Sequence, residues 1–417
     1  MRWMAWAAAA AAMTGAWAET ATASPGTGRT AVVALGDSFI YGEGGRWLGN
    51  GTEPLGTRSG TDRAAFGCDG WGCEYDPARV YGSSEENDCH RSDVAPIESA
   101  PIAVEGRVNL ACSGARLANI WPAARGGQAH FGEPPQADRL AAVARRFDVR
   151  MIVLTAGAND VGFGELVAGC ALDWARGDDE EPELCRGEAG AALRARLPAA
   201  GRGLRRALRG IRATMAAAGY ASARYRLVVA GYASPFPPGR DFRYPEAGWS
   251  RLREGGCPVW DGDADWAAGA AVGSLAAAMR AAASAAGAEF LDLRDALDGH
   301  QLCDRRASLV GPGGPSPLGA EWVRRLSFAQ GSSRESLHPN AYGQQAIGAC
   351  LGLLYTAPRG DYACRAGGAA ISSTRWPQGA VTLARSAPQW ARRASTSKPR
   401  SRSRATVSPK SGTTTAR

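Results

Sequence analysis

Five short apolar runs, each closed by small or polar residues, limit what this chain can become. They are AVVAL at 31–35, RVNLA at 107–111, MIVLTA at 151–156, YRLVVAGY at 225–232 and EFLDL at 289–293. Several are continuously apolar rather than alternating, the pattern of strands covered on both faces. Between them the period becomes helical. Leu140, Val143 and Phe147 fall at i, i+3 and i+7, and Leu204, Leu208, Ile211 and Met215 at steps of four, three and four. Residues 265–286 read as an Ala-rich helix and 341–355 as a last one. Strands alternating with crossover helices predict one α/β domain, a three-layer α/β/α sandwich around a mostly parallel five-stranded sheet. Two segments interrupt it: a Gly-rich polar stretch at 43–90 without periodicity, and a looped excursion at 164–190 closed by Cys170 and Cys185. Long structureless loops in a compact domain are usually functional or disordered.

The two ends are of another character. MRWMAWAAAAAAMTGAWAET opens with Arg2, continues with an apolar stretch and reaches Ala16-Trp17-Ala18, an A-x-A cleavage pattern. This predicts a signal peptide over 1–18 and an exported protein. Beyond it no apolar run is long enough to span a bilayer. Ten cysteines agree with export and predict five disulfides. A zinc site is the competing use of cysteine, but the chain has no C-x₂-C pair and its four histidines are scattered, so no metal is expected. The sequence leaves connectivity open; neighbours in order (Cys68-Cys73, Cys89-Cys112, Cys170-Cys185, Cys257-Cys303, Cys350-Cys364) give short local loops. The formal charge of +8 is local as well. Ten of the 48 Lys and Arg, and none of the 40 Asp and Glu, lie from Gly367 onward, so the rest is within two charges of neutral. Residues 367–417 are predicted to be a disordered basic Ser/Thr/Pro-rich tail, too poor in apolar side chains to repay ordering. Such a tail can hold a protein weakly at an anionic surface, or simply be solvated. Nucleic acid is not an expected partner, because the tail carries no folded module to place base contacts.

In an open parallel sheet, ligands bind at the carboxyl ends of the strands. The residues found there are Gly36-Asp37-Ser38 after the first strand, Cys112-Ser113-Gly114-Ala115 after the second and Gly157-Ala158-Asn159-Asp160 after the third. Ser38 as a nucleophile needs a base within about 3 Å. Of the four histidines, His90 sits in a cysteine-bounded loop, His130 between glycine-rich turns and His300 just before Cys303, all reading as surface or loop residues. His338 lies in Glu335-Ser336-Leu337-His338-Pro339-Asn340, where proline sets the entry to the last helix, and is the expected base. A tetrahedral oxyanion needs convergent donors, and the Ser38 amide, the Gly114 amide and the Asn159 side chain supply three. Asp37 reads as a turn residue bonding nearby backbone, and Asp160 as a supporting acceptor.

These blocks (G-D-S, Gly114 in A-C-S-G-A, G-A-N-D, and H-P-N before the last helix) resemble in order and spacing those of the SGNH hydrolases, the GDSL esterase/lipase family. The resemblance runs from about Thr30 to Leu354. Cys89-His90-Arg91-Ser92 and Gly299-His300-Gln301-Leu302-Cys303 look like the secreted actinobacterial lipase-like branch. It implies a flavodoxin-like SGNH hydrolase fold over 19–366, with Ser38 as nucleophile and oxyanion donor, Gly114 and Asn159 completing the oxyanion hole, and His338 as base then acid. It favours the pairs 89–112, 170–185 and 257–303. The family usually places an aspartate three residues before the histidine; Glu335 stands there, although some members use a backbone carbonyl instead. The expectation is a secreted, monomeric, cofactor-free serine esterase or lipase that hydrolyses carboxylic ester bonds of small-molecule or lipid substrates through an acyl-enzyme. An acyltransferase on the same residues, or a non-catalytic cell-surface binding protein of the same fold, are the alternatives. The 43–90 segment follows the nucleophile so closely that it is expected to overhang it and govern substrate choice. Trp47, Trp71, Trp260 and Trp322 could line a pocket or pack beneath loops. Asp261, Asp263 and Asp265 have the 1, 3, 5 spacing of a calcium loop but lack its glycine and glutamate, so a helix capped by Asp263 or Asp265 is expected.

Overall fold

A computed structural model describes residues 28–177, 184–311, 313–367 and 373–386. The expected signal peptide and the end of the chain from 387 lie outside these. In chain order the strands are β1 (Thr30–Gly36), β2 (Ala65–Phe66), β3 (Glu74–Tyr75), β4 (Gly106–Asn109), β5 (Asp148–Thr155), β6 (Arg226–Ala230), β7 (Glu289–Asp295), β8 (Tyr362–Ala366) and β9 (Val381–Arg385). The α-helices are α1 (Ser38–Tyr41), α2 (Ala78–Tyr81), α3 (Pro96–Ser99), α4 (Gln136–Arg146), α5 (Phe163–Arg176), α6 (Arg186–Ala217), α7 (Asp261–Trp266), α8 (Val272–Ala285) and α9 (Ala341–Thr356).

The five apolar runs became β1, β4, β5, β6 and β7, all parallel, in the order β4-β1-β5-β6-β7. β1 lies between β4 and β5, so the order reverses there and a crevice opens at its carboxyl end. Helices α4, α6 and α8 pack together on one face, and α3 and α9 meet on the other. The resulting core is continuous: Val32, Val33, Leu35, Ile152, Val153, Val228 and Leu291 are fully buried. The sheet has seven strands rather than five. β8 adds in parallel to β7, and β9 adds antiparallel to β8 with Ala363 opposite Ala384. This corrects the tail boundary. Residues 381–385 complete the sheet edge, with Ala380 and Val381 buried in the core, so part of the segment read as tail is folded.

Two further expectations change. The first half of the 164–190 excursion is helix α5, whose Cys170 is joined to Cys185 at the start of α6. The Ala-rich helix begins at Asp261 and runs through a π turn at Ala267–Ala271 into α8; Trp260, not an aspartate, holds its N-cap position, without a side-chain capping bond. Asp263 instead accepts the amides of Cys185 (3.1 Å) and Arg186 (3.0 Å), and Asp265 that of Gly239 (2.9 Å). The remaining disulfides join Cys68 to Cys73, Cys89 to Cys112, Cys257 to Cys303 and Cys350 to Cys364.

Candidate active site

Gly36 ends β1 with φ +135°, and a Cβ there would stand 1.9 Å from the Thr155 carbonyl oxygen. Only glycine lets the chain turn this sharply against β5. Its amide and carbonyl are taken by the Gln136 side chain (2.7 and 2.8 Å), which acts where a neighbouring strand would. Asp37 then caps α1 by accepting the Phe39 amide at 3.2 Å, so Ser38 becomes the first residue of a one-turn helix at the sheet edge. Asp37 is fully buried and also accepts the Tyr232 hydroxyl. Burial raises its pKa to about 7 against the pull of that hydrogen bond. It shapes the turn, and its hydrogen bonds go to Phe39 and Tyr232 rather than to His338.

His338 Nε2 lies 2.7 Å from Ser38 Oγ. Its other ring nitrogen, Nδ1, lies 3.0 Å from the Ser336 carbonyl oxygen. A carbonyl can only accept, so Nδ1 carries the proton and Nε2 is left to accept from Ser38. The turn that makes this possible puts Leu337 at φ +61°, where a branched residue is strained. Two backbone bonds hold it there: the Leu337 amide to the Arg324 carbonyl (2.8 Å) and the Arg324 amide to the His338 carbonyl (2.9 Å). Burial lowers the pKa of His338, opposed by the charge of Glu43 and by the Ser336 carbonyl. The imidazole is therefore neutral, as a base must be before it accepts a proton.

Glu335 does not take the part expected of it. Its carboxylate accepts Trp47 Nε1 (2.8 Å), the Tyr81 hydroxyl (2.8 Å) and the Ser332 amide (3.1 Å), with no hydrogen bond to His338. Its helical turn at Ser333–Glu335 is closed by a capping box with Ser332, which points the carboxylate back into the 43–90 segment. The orienting group on His338 is the Ser336 carbonyl.

On the other side of Ser38, Gly114 has φ +65°, a conformation that favours glycine, and lines the crevice. Its loop is fastened by the Cys89–Cys112 disulfide, by Ser113 O accepting His130 Nε2 at 2.6 Å, and by Asp160 accepting the Leu117 amide at 3.1 Å. Asn159 follows β5, and its side-chain amide donates to the Ala115 carbonyl at 3.0 Å, which orients the group and leaves a second N–H. Ser38, Gly114, Asn159 and His338 share one wall of a cavity of about 880 Å³. The rest is largely apolar: Phe163, Leu166 and Val167 of α5, Leu275 of α8, and Leu326 and Phe328.

No residue of 43–90 lines this cavity, which corrects the expectation that the segment overhangs the nucleophile. It lies behind His338 instead, where Trp47, Tyr81 and His90 are buried. Of the tryptophans singled out, Trp47, Trp260 and Trp322 are buried in packing and Trp71 is 99 % exposed; the cavity uses Trp266. His90 is not a surface residue. It stacks on Tyr81, and its Nδ1 lies 2.9 Å from Glu43. Sequence reasoning missed the buried Glu43–His90 pair, although His90 lies within the Cys89-His90-Arg91-Ser92 block and Glu43 opens the Gly-rich 43–90 stretch.

Comparison with solved structures finds distant likenesses. The extracellular lipase of Streptomyces rimosus is 20% identical, with 76% of this chain and 94% of that chain covered and a TM-score of 0.41. Phospholipase A1 of Streptomyces albidoflavus is 18% identical, with coverage of 79% and 100% and a TM-score of 0.46. A carbohydrate acetylesterase of Sinorhizobium meliloti is 12% identical, with coverage of 78% and 97% and a TM-score of 0.31. No curated protein matches the sequence. The model of the GDSL-like lipase/acylhydrolase family matches residues 98–346, more than half of the sequence, and with Ser38 and His338 in contact across the same sheet edge the chain belongs to that family.

Proposed function

We propose that this protein is an exported serine esterase that hydrolyses carboxylic esters with long apolar acyl groups through an acyl-enzyme. The observation that carries the reading is the 2.7 Å contact between Ser38 Oγ and a His338 whose tautomer leaves Nε2 free, at the wall of a large apolar cavity. Ser38 Oγ bonds to the ester carbonyl carbon while its proton passes to His338 Nε2. The oxyanion is met by the Ser38 and Gly114 amides and by Asn159. The C–O bond to the alcohol then breaks as His338 returns the proton to it. Water, deprotonated by the same histidine, attacks the acyl-Ser38, and a second tetrahedral state collapses to release the acid. The cavity volume falls in the upper part of the roughly 300–1,000 Å³ range of small-molecule sites, and its apolar walls favour an alkyl chain over a sugar. Five disulfides support an oxidising destination.

The test is a panel of p-nitrophenyl esters from acetyl to palmitoyl, with the parent and Ser38→Ala side by side, with and without an alcohol acceptor. Turnover should rise with chain length and vanish in Ser38→Ala. Hydrolysis surviving in Ser38→Ala would refute the mechanism. No turnover in the parent would favour a binding protein, and ester exchange outrunning hydrolysis would favour an acyltransferase.

A further inference from the structure

The Ser38–His338 pair lacks the buried carboxylate that usually stands behind such a histidine, since Ser336 offers only a dipole. Among the buried carboxylates near it, Glu43 has no part in the reaction as described. We propose that Glu43 is a positioning residue of this site: it ties the loop bearing Gly114 to the backbone beneath His338 and supplies the fixed negative charge that the protonated histidine needs. This rests on the serine-hydrolase reading above.

Glu43 follows α1 and is 1 % exposed. Its amide donates to the Ser38 carbonyl at 3.4 Å, so it is anchored to the nucleophile's own turn. Its carboxylate accepts the Ser113 hydroxyl at 2.6 Å, the Tyr41 hydroxyl, and His90 Nδ1 at 2.9 Å. Ser113 immediately precedes Gly114, and His90 immediately follows Cys89, whose disulfide partner precedes Ser113. One carboxylate and one disulfide therefore close the same gap. On the far side, Gly44 runs against the His338–Pro339 backbone: a Cβ on it would stand 2.6 Å from the Pro339 oxygen and 3.2 Å from that of His338. Gly44 also bridges to Asn340. The Tyr81 hydroxyl that donates to Glu335 also lies 2.6 Å from the Glu43 carbonyl oxygen. Glu43 thus touches the nucleophile turn and the oxyanion loop directly, and its neighbour Gly44 lies against the histidine segment.

His338 becomes cationic only after it has taken the Ser38 proton. A nearby fixed anion in a dry setting favours that state over the neutral ground state, which is the form of assistance that raises a rate. The charges agree with this placement. Burial raises the pKa of Glu43, but the His90 hydrogen bond, the charge His338 carries when protonated, and the charge of His90 outweigh it and hold it below the usual carboxylate value. Burial lowers that of His90, and the Glu43 hydrogen bond and charge overcome it, with Glu85 (3.6 Å) and Asp88 (3.8 Å) facing its other nitrogen. His90 is the counter-ion that keeps a buried Glu43 tolerable.

The experiment is an NMR titration of the His338 imidazole in a Ser38→Ala background, which needs no substrate, together with the acid limb of kcat/KM for a soluble ester in proteins that retain Ser38. Glu43→Gln keeps an acceptor and removes the charge; the His338 pKa and the acid limb should fall by about one unit, and kcat by about tenfold or more. His90→Gln removes the compensating cation and should move both upward. The opposite signs separate an electrostatic role from a scaffold whose loss only loosens the fold. A folded Glu43→Gln protein with an unmoved His338 pKa, or the same direction of shift in both variants, would overturn the proposal. Should Glu43→Gln fail to fold, His90→Gln decides alone: an upward shift supports the assignment, and none or a downward one refutes it. Ester hydrolysis that survives in Ser38→Ala fails the hydrolase reading instead, whatever the titration shows.

Discussion

Replacing Glu335 by glutamine separates a triad acid from a buried scaffold carboxylate. An orienting acid in a serine hydrolase triad is worth about 10⁴ in kcat, or roughly 5.5 kcal/mol of transition-state stabilisation. The geometry here predicts far less. Glu335 takes three donors, from Trp47, Tyr81 and Ser332. With glutamine, the amide oxygen can keep Trp47 and Ser332. The amide nitrogen can donate to the Tyr81 oxygen, whose own proton then turns to the Glu43 carbonyl oxygen 2.6 Å away. Burial holds the pKa of Glu335 above the usual carboxylate range, against the Trp47 bond and the Arg46 charge, so the folded state already disfavours its ionised form. Glu335→Gln should therefore leave kcat within about threefold, which is about 0.7 kcal/mol, and the melting temperature nearly unchanged. Glu335→Ala is the contrasting arm. It strands the Trp47 N–H and the Ser332 amide, at about 1–3 kcal/mol for each buried donor, so it should unfold earlier. The assays are kcat on a soluble ester and thermal unfolding by circular dichroism. A loss of about 10³ or more in Glu335→Gln at an unchanged melting temperature would refute the reasoning, since the carboxylate would then have to reach His338 in the reacting enzyme.

Other expectations follow from the same contacts. Asp37 titrates at about 7 when folded and near 3.8 when unfolded, so between these values the native state holds a proton that the unfolded chain has released. Stability should fall as pH rises from about 4 to 7, by on the order of 4 kcal/mol, and Asp37→Asn should flatten that slope in urea unfolding curves. Asn159→Ala should lower kcat by about 10²–10³ with little change in KM, measured on a soluble ester. Removing the Cys89–Cys112 bridge by double alanine substitution opens a loop of sequence separation 23. It should cost about 3 kcal/mol in chemical denaturation and lower kcat as the Gly114 loop loosens.

What could be read from the chain depended on whether the signal was local. The five core strands announced themselves through continuous apolar runs, and the residues after β1, β4 and β5 had to share one edge once the sheet was parallel. Strand β8, YACRA, carries no such run, and β9, VTLAR, sits among basic residues; both are held by edge pairing and by α9 rather than by their own composition. Helix α5 was obscured by the cysteines that bracket the excursion. The carboxylates were misassigned for a related reason. Glu335 stands three residues before the histidine, but a capping turn points it away, towards Tyr81, 254 residues distant in sequence. Glu43 looked like a polar residue in a glycine-rich stretch, and its partners Ser113 and His90 lie 70 and 47 residues away.

The antiparallel pairing of β9 also decides where this chain can be shortened. Strand β8 is covered on one side by β7 and on the other by β9, and Cys364 is tied to Cys350 in α9. A chain cut after residue 366 would expose the whole outer row of β8 amides and carbonyls and uncover the apolar patch that Ala380 and Val381 protect. A free, disulfide-rigid strand edge is a template for another chain's strand. Material ending there should self-associate through its sheets, whereas material ending after 386 should remain monodisperse, so the recombinant terminus belongs beyond the last strand and not at the end of the catalytic motifs.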